Sequence, residues 1–154
     1  MINSIGFTGT RKGMTDAQKR AIADIIADQV PALIVHGGCY GADGEFDTLC
    51  VLNSSSHTLI RVRPSNIPNT QAKLSFHACR EIMPAKPPLS RNHNIVDDAV
   101  LMLATPRGFE EEQRSGTWAA IRYARKTNKP LIIIYPDGQT PDKARVLQQL
   151  DGDA

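Results

Sequence analysis

Gly37-Gly38-x-x-Gly41-Ala42-Asp43 places three glycines just ahead of a run that can form a helix. Glycine carries no Cβ and reaches positive φ, so its amides can approach an anion. A following helix points its positive end at the same place. A plain tight turn accounts for the same glycines. Ser115-Gly116-Thr117 repeats the arrangement ahead of Trp118, Ile121 and Ala124, with two hydroxyls and bare backbone where first-turn amides lack partners; simple capping by Ser115 is the alternative. Arg91-Asn92 adds a guanidinium suited to phosphate or carboxylate and an amide side chain suited to capping a helix. Proton transfer would need a carboxylate, and Glu110, Glu111, Glu112 and Asp43 lie in or beside these loops. A solvated loop accounts for the glutamates, and ribose binding or helix capping for Asp43. The glycine spacing fits neither G-x-G-x-x-G nor G-x-x-x-x-G-K-[ST], so no conventional dinucleotide cofactor is expected. His36, His57, His77 and His93 have no metal-ligand spacing with Cys39, Cys50 or Cys79, and no metal is expected. His93, beside Arg91-Asn92, is a candidate to enter a pocket; Cys39 reads as a small filler or a thiol activated by nearby amides. Phe109 and Trp118 could stack on a base or pack internally.

The elements that must position these loops follow from periodicity. Ile5 and Phe7 alternate with Gly6 and Thr8, and the run ends at Thr10-Arg11-Lys12-Gly13, a strand followed by a loop. Thr15 and Gln18 form a capping-box pattern before a helical stripe of Ala17, Ala21, Ile22, Ile25 and Ile26 that must end before Pro31. Apolar runs at 32–35, 58–62, 100–104 and 131–135 read as further strands, and 42–52, 92–98 and 117–126 as helices. Prolines at 64, 68, 84, 87 and 88 break the stretch between Arg63 and Leu89, leaving 71–82 as a short helix. Alternating strands and helices predict an α/β fold, an open parallel sheet of about five strands with helices on both faces. The loops after its strands would then share one rim, where such sheets bind ligands. Residues 1–138 are expected to form the binding domain and 139–154 a polar tail or short helix.

Gly6-Phe7-Thr8-Gly9-Thr10-Arg11, Gly37-Gly38-x-x-Gly41-Ala42-Asp43, Arg91-Asn92-x-Asn94-Ile95-Val96-Asp97 and Ser115-Gly116-Thr117-Trp118, with Ala124 before Lys129-Pro130, resemble in order the motifs of the SLOG superfamily. This Rossmann-like group includes DNA-processing protein A, the Lonely Guy phosphoribohydrolases and nucleotide-sensing domains of antiviral and ion-channel proteins. The resemblance covers about residues 4–136. It implies a pocket for a nucleotide or nucleotide-derived sugar phosphate, and homo-oligomers. By motif position Thr8, Gly9, Thr10 and Arg11 would form one wall, Gly37, Gly38, Gly41, Ala42 and Asp43 the floor, Arg91 and Asn92 a second wall, and Ser115, Gly116 and Thr117 the phosphate cradle. In the Lonely Guy pattern a Glu works with an Arg to break a base–ribose bond. Ala120 stands at that Glu position here, and alanine moves no proton. Any hydrolysis would then fall to Glu111 or Asp43, with Arg91.

The chain's 154 residues, 41% hydrophobic and 22% charged, suit one globular domain. Neither a membrane-length apolar run nor a basic-then-apolar opening is present, so a cytoplasmic protein without membrane contact is expected. Net charge is +2, yet Arg61, Arg63, Lys73, Arg80, Lys86 and Arg91 face only Glu81 between positions 61 and 91, a local anion site in prospect. Three functions are open: a sensor or sequestering protein for an ADP-ribose-like nucleotide ligand in phage or bacterial immunity, an N-glycoside hydrolase, and single-stranded DNA binding. The last ranks lowest, because 5% aromatic residues supply little stacking surface.

Overall fold

The computed structural model describes residues 2–152. Ile5 and Phe7 anchor β1 (Ser4–Gly9), the strand from which the sheet grows in both directions. Thr15 then caps α1 (Asp16–Gln29): its hydroxyl accepts from Gln18 N–H at 3.1 Å, and Gln18 Oε1 accepts from Thr15 N–H at 3.0 Å, the expected capping box. The chain returns through β2 (Leu33–His36), α2 (Ala42–Asn53) and β3 (Leu59–Val62). A short β4 (Arg80–Ile82) follows, then α3 (Pro88–Asp98), β5 (Leu101–Thr105), α4 (Gly116–Lys126), β6 (Leu131–Ile133) and α5 (Lys143–Gly152). All neighbours in the order β4-β3-β2-β1-β5-β6 run parallel, so the sheet is the expected open α/β one with six strands rather than five.

The extra strand corrects the expected helix over 71–82. Its backbone is claimed by tertiary partners: Ala72 N–H donates to Gly38 O at 2.8 Å, Cys79 O accepts from Ile60 N–H at 2.8 Å, and Arg80–Ile82 pairs with β3. Satisfying these backbone groups outweighs the weak local preference for helix. α3 also starts earlier than expected. Pro88 occupies its first turn, where a missing N–H costs nothing, so Asn92 lies inside the helix and does not cap it.

Each sheet face buries its own layer. Ile5, Phe7, Ile34, Ile60, Leu101, Leu103 and Ile132 pack under α1, α2 and α5, with Phe7 stacked on Phe46 at a 4.1 Å centroid separation. Val35, Met102 and Ala104 lie on the face covered by α3 and α4, with Ile95, Val96, Ile121 and Ala124. A fully buried Ile or Phe stabilises by about 1.5–3 kcal/mol. These layers therefore hold the strand ends, and the loops on them, in fixed positions. Among the described residues no helix is long and apolar enough to cross a membrane.

Candidate functional site

β1 connects to β2 on one side of the sheet and neighbours β5 on the other, so the strand order reverses at β1. Loops leaving such a reversal diverge and open a crevice at the carboxyl ends of the strands. A cleft of about 540 Å³ lies there, lined by the loop after β1, the glycine turn after β2, the first turns of α3 and the loop into α4. That volume suits a small molecule.

The end of β1 supplies Thr8 and Gly9 to the cleft, and the loop after it Thr10, Arg11 and Lys12. Thr10 shapes it: its hydroxyl accepts from Lys12 N–H at 3.1 Å and its carbonyl from Gly13 and Ala42 N–H at 3.1 and 2.9 Å. Arg11 extends over the ring of Tyr40, 5.6 Å from its centroid, and Tyr40 also lines the cleft.

In the glycine turn, four backbone amides are already used. Gly38 N–H donates to His36 Nδ1 at 2.9 Å, Cys39 N–H to Asp43 Oδ2 at 3.1 Å, Tyr40 N–H to Thr70 O at 2.9 Å and Ala42 N–H to Thr10 O at 2.9 Å. Because Nδ1 accepts, His36 carries its proton on Nε2 and presents it to Asp47 Oδ2 at 2.8 Å. Gly41 sits at φ 89°, and a Cβ there would collide with the Arg11 carbonyl. The turn is thus a rigid scaffold more than an anion cradle: Gly37 and Asp43 reach the cleft, whereas Gly38, Gly41 and Ala42 do not line it.

Arg91 and Asp43 are both lining and buried, 9% and 8% exposed. Arg91 Nη1 donates to Gly37 O at 3.1 Å and Arg63 O at 3.3 Å, and Nε to Asn92 Oδ1 at 2.9 Å. Arg91 therefore braces the glycine turn from α3. Cys39 Sγ is 3.7 Å from Arg91 Nη1. Burial raises the Asp43 carboxyl above the usual carboxylate range, against the opposing charge of Arg91 and the Cys39 amide.

Across the cleft, Ser115 Oγ accepts from Trp118 N–H at 3.2 Å, the side-chain cap of α4. The Gly116 and Thr117 amides come before any intrahelical acceptor exists and find none among the described residues. Both residues line the cleft with Ser115, Arg107, Glu112 and Arg114. The positive end of α4 thus opens into a cationic space.

Several expected residues lie elsewhere. Glu111 does not line the cleft; its carboxylate accepts from Arg122 Nη1 at 2.9 Å. Trp118 is 3% exposed beneath α4, and Phe109 stacks on Tyr135 with centroids 5.8 Å apart, so neither aromatic faces the cleft. His93 stacks on Tyr123 at 3.8 Å instead of entering it. The basic stretch is largely tied up internally: Arg61 pairs with Glu81 and Asp98, Arg63 with Asp98, and Arg80 with Asp47. Glu112, named with Glu110 and Glu111, does line the cleft; sequence reasoning missed Lys12, Tyr40, Arg107 and Arg114. Their common signal is adjacency to the loops it did identify.

No protein-family model matches the sequence, and no curated protein matches it significantly. Solved structures do resemble it. The molybdenum cofactor binding protein from the phototrophic bacterium Rippkaea orientalis aligns at a TM-score of 0.62 and 15% identity, over 99% of this chain and 84% of that one. TM1055, a structural-genomics target, aligns at 0.59 and 13% identity over 84% and 72%. The Moco carrier protein from Chlamydomonas reinhardtii aligns at 0.54 and 17% identity over 99% and 86%. At such identities the likeness is one of fold, and together with the parallel sheet it makes this chain a Rossmann-like α/β protein.

Proposed function

We propose that the cleft binds a nucleotide or nucleotide-derived sugar phosphate and that the protein acts as a sensor or sequestering protein. One observation carries this reading: the unpartnered Gly116 and Thr117 amides at the start of α4 open into the same cleft as Arg11, Lys12 and Arg114, which have no carboxylate partner among the described residues. Amides, a helix N-terminus and cations converging from two walls match a phosphorylated group. Tyr40, 45% exposed on the rim, offers a flat apolar surface for the rest of the ligand. An ADP-ribose-like molecule satisfies both features, and the SLOG resemblance of the four motifs agrees with it. A cytoplasmic location and a homo-oligomer belong to the same proposal.

Calorimetry against AMP, ADP, ADP-ribose, cyclic nucleotides and the molybdenum cofactor tests it. The cofactor is included because two proteins of similar fold are named for carrying or binding it. Micromolar binding of a nucleotide, lost in Arg114→Gln by about tenfold, is the expected result. A folded sample that binds none of the panel would remove the reading. Mass spectrometry of small molecules released by heat gives an independent answer.

A second reading has its own observation. Asp43 is a buried carboxyl, raised above its usual range, on the cleft floor, so an N-glycoside hydrolase would use Asp43 as its acid rather than Glu111. Base released from AMP or ADP-ribose, and abolished in Asp43→Asn, would establish turnover. Its absence leaves a binder.

A further inference from the structure

Five cationic residues line the cleft, against two acids, Asp43 and Glu112. Asp43 is enclosed on the floor and holds the Cys39 amide. Glu112 stands at the mouth, its side chain 31% exposed, and its two oxygens both accept from Arg107 Nε at 3.0 Å, while Arg107 Nη2 donates to Oε1 as well. The charge of Lys12 acts on the same carboxylate from the β1 loop. A carboxylate clasped by a guanidinium beside unpartnered amides is the arrangement an incoming phosphate would itself adopt.

We propose that Glu112 is the cleft's own counter-anion: it holds Arg107 at the rim, and a phosphorylated ligand displaces it and takes over the guanidinium. The inference rests on the anion-binding reading of the cleft. Glu112 and Arg107 belong to one loop, so the exchange needs only side-chain rotation, with both groups partly in water and the pair itself weak. Glu112 then sets a threshold of charge. A ligand must be anionic enough to win Arg107, and neutral sugars or nucleosides leave the pair intact.

Inorganic pyrophosphate and ADP, titrated calorimetrically into the full chain, test this. Glu112→Gln keeps the side chain's shape, removes the competitor and is expected to bind both probes about three- to tenfold more tightly than the parent. In an Arg107→Gln background the same change gains less than about twofold, because no clasp remains to be broken. Adenosine, the neutral probe, gains nothing. If the parent binds ADP and Glu112→Gln leaves its affinity unchanged or weaker, Glu112 is no competitor and this inference fails while the cleft's reading stands. If neither parent nor variant binds any anionic probe, the reading fails and takes the inference with it. A thermal midpoint of Glu112→Gln within about 2–4 °C of the parent, as befits an exposed pair, shows that the fold has been kept.

Discussion

Asp43 and Asp47 lie one turn apart on α2, both buried, yet their environments push them in opposite directions. Burial dominates at Asp43 and raises its carboxyl. At Asp47 burial also pushes upward, but hydrogen bonds from His36 and Arg80 together with the Arg80 charge outweigh it, and the carboxyl is held below the usual range. Linkage gives the two residues opposite pH signatures. Asp47 adds stability that is complete above about pH 4 and drains away as pH falls through its depressed folded value. Asp43 does the reverse: its burial is least costly below about pH 4 and becomes more so as pH rises toward its elevated folded value. Thermal melts between acid and neutral pH should therefore show Asp47→Asn losing about 3–5 kcal/mol at pH 7 and much less in acid, since the amide keeps one acceptor oxygen for two donors and lacks the charge that pairs with Arg80. Asp43→Asn, which keeps an oxygen for the Cys39 amide, should melt no lower than the parent at pH 7. A larger loss for Asp43→Asn at pH 7 than in acid would show that the charged form is the one the fold favours, contrary to the burial argument.

At the scale of elements, the side chains of Thr15 and Gln18 tie the start of α1 to the rim, Thr15 by donating its hydroxyl to Pro136 O at 2.7 Å. Gln18, 2% exposed, donates through Nε2 to Pro106 O and Ile134 O, both at 2.9 Å, while its Oε1 completes the capping box with Thr15. It therefore joins the start of α1 to the chain leaving β5 and β6, at the base of the loop that carries Arg107 and Glu112. Gln18→Ala strands two buried carbonyls and an N-terminal amide, and a loss of about 2–4 kcal/mol in denaturant unfolding is expected. Gln18→Glu can restore the cap but turns a buried carboxylate oxygen on the Pro106 and Ile134 carbonyls, so it should be no more stable than the alanine variant at pH 7; full stability in the alanine variant would mean that water replaces all three bonds. The capping role of Gln18 is legible in sequence because Thr15-x-x-Gln18 is a local pattern. Its reach across 88 residues to Pro106 is not, because nothing local encodes it. The same division runs through the fold. Strands buried on both faces announce themselves in runs such as Leu101-Met102-Leu103-Ala104, whereas β4 is three residues long and exists because β3 offers it a free edge. The candidate site divides likewise: the segments bearing Arg11, Gly37, Arg91 and Ser115 are readable one by one. That Thr70 and Thr10 take the Tyr40 and Ala42 amides depends on two distant segments, whereas His36 and Asp43, which take those of Gly38 and Cys39, flank the turn itself.

For the whole molecule, a net charge of +2 conceals two populations of cations. Those of β3 and β4 are neutralised in place: Arg61 and Arg63 share Asp98 from α3, and Arg80 is held by Asp47. Arg91 is enclosed against backbone carbonyls. Those left without acidic partners at the cleft, Arg11, Lys12 and Arg114, converge on a concave space rather than along a stripe. A polyanion needs a track of cations so that several phosphates release counterions together, while a compact ligand needs only one convergent cluster. Salt should separate the two cases. At about 0.15 M salt a fluorescent single-stranded oligonucleotide is expected to show no saturable rise in anisotropy below about 100 μM protein, the weak end of non-specific binding. ADP in the cleft should weaken only modestly as salt rises, because contacts within an enclosed site are screened less than those spread over a surface. Saturation by the oligonucleotide at low micromolar protein, with a salt slope worth several phosphates, would mean that the Asp98 and Asp47 pairs open to release their arginines, and the surface from β3 to α3 would then be the functional one in place of the cleft.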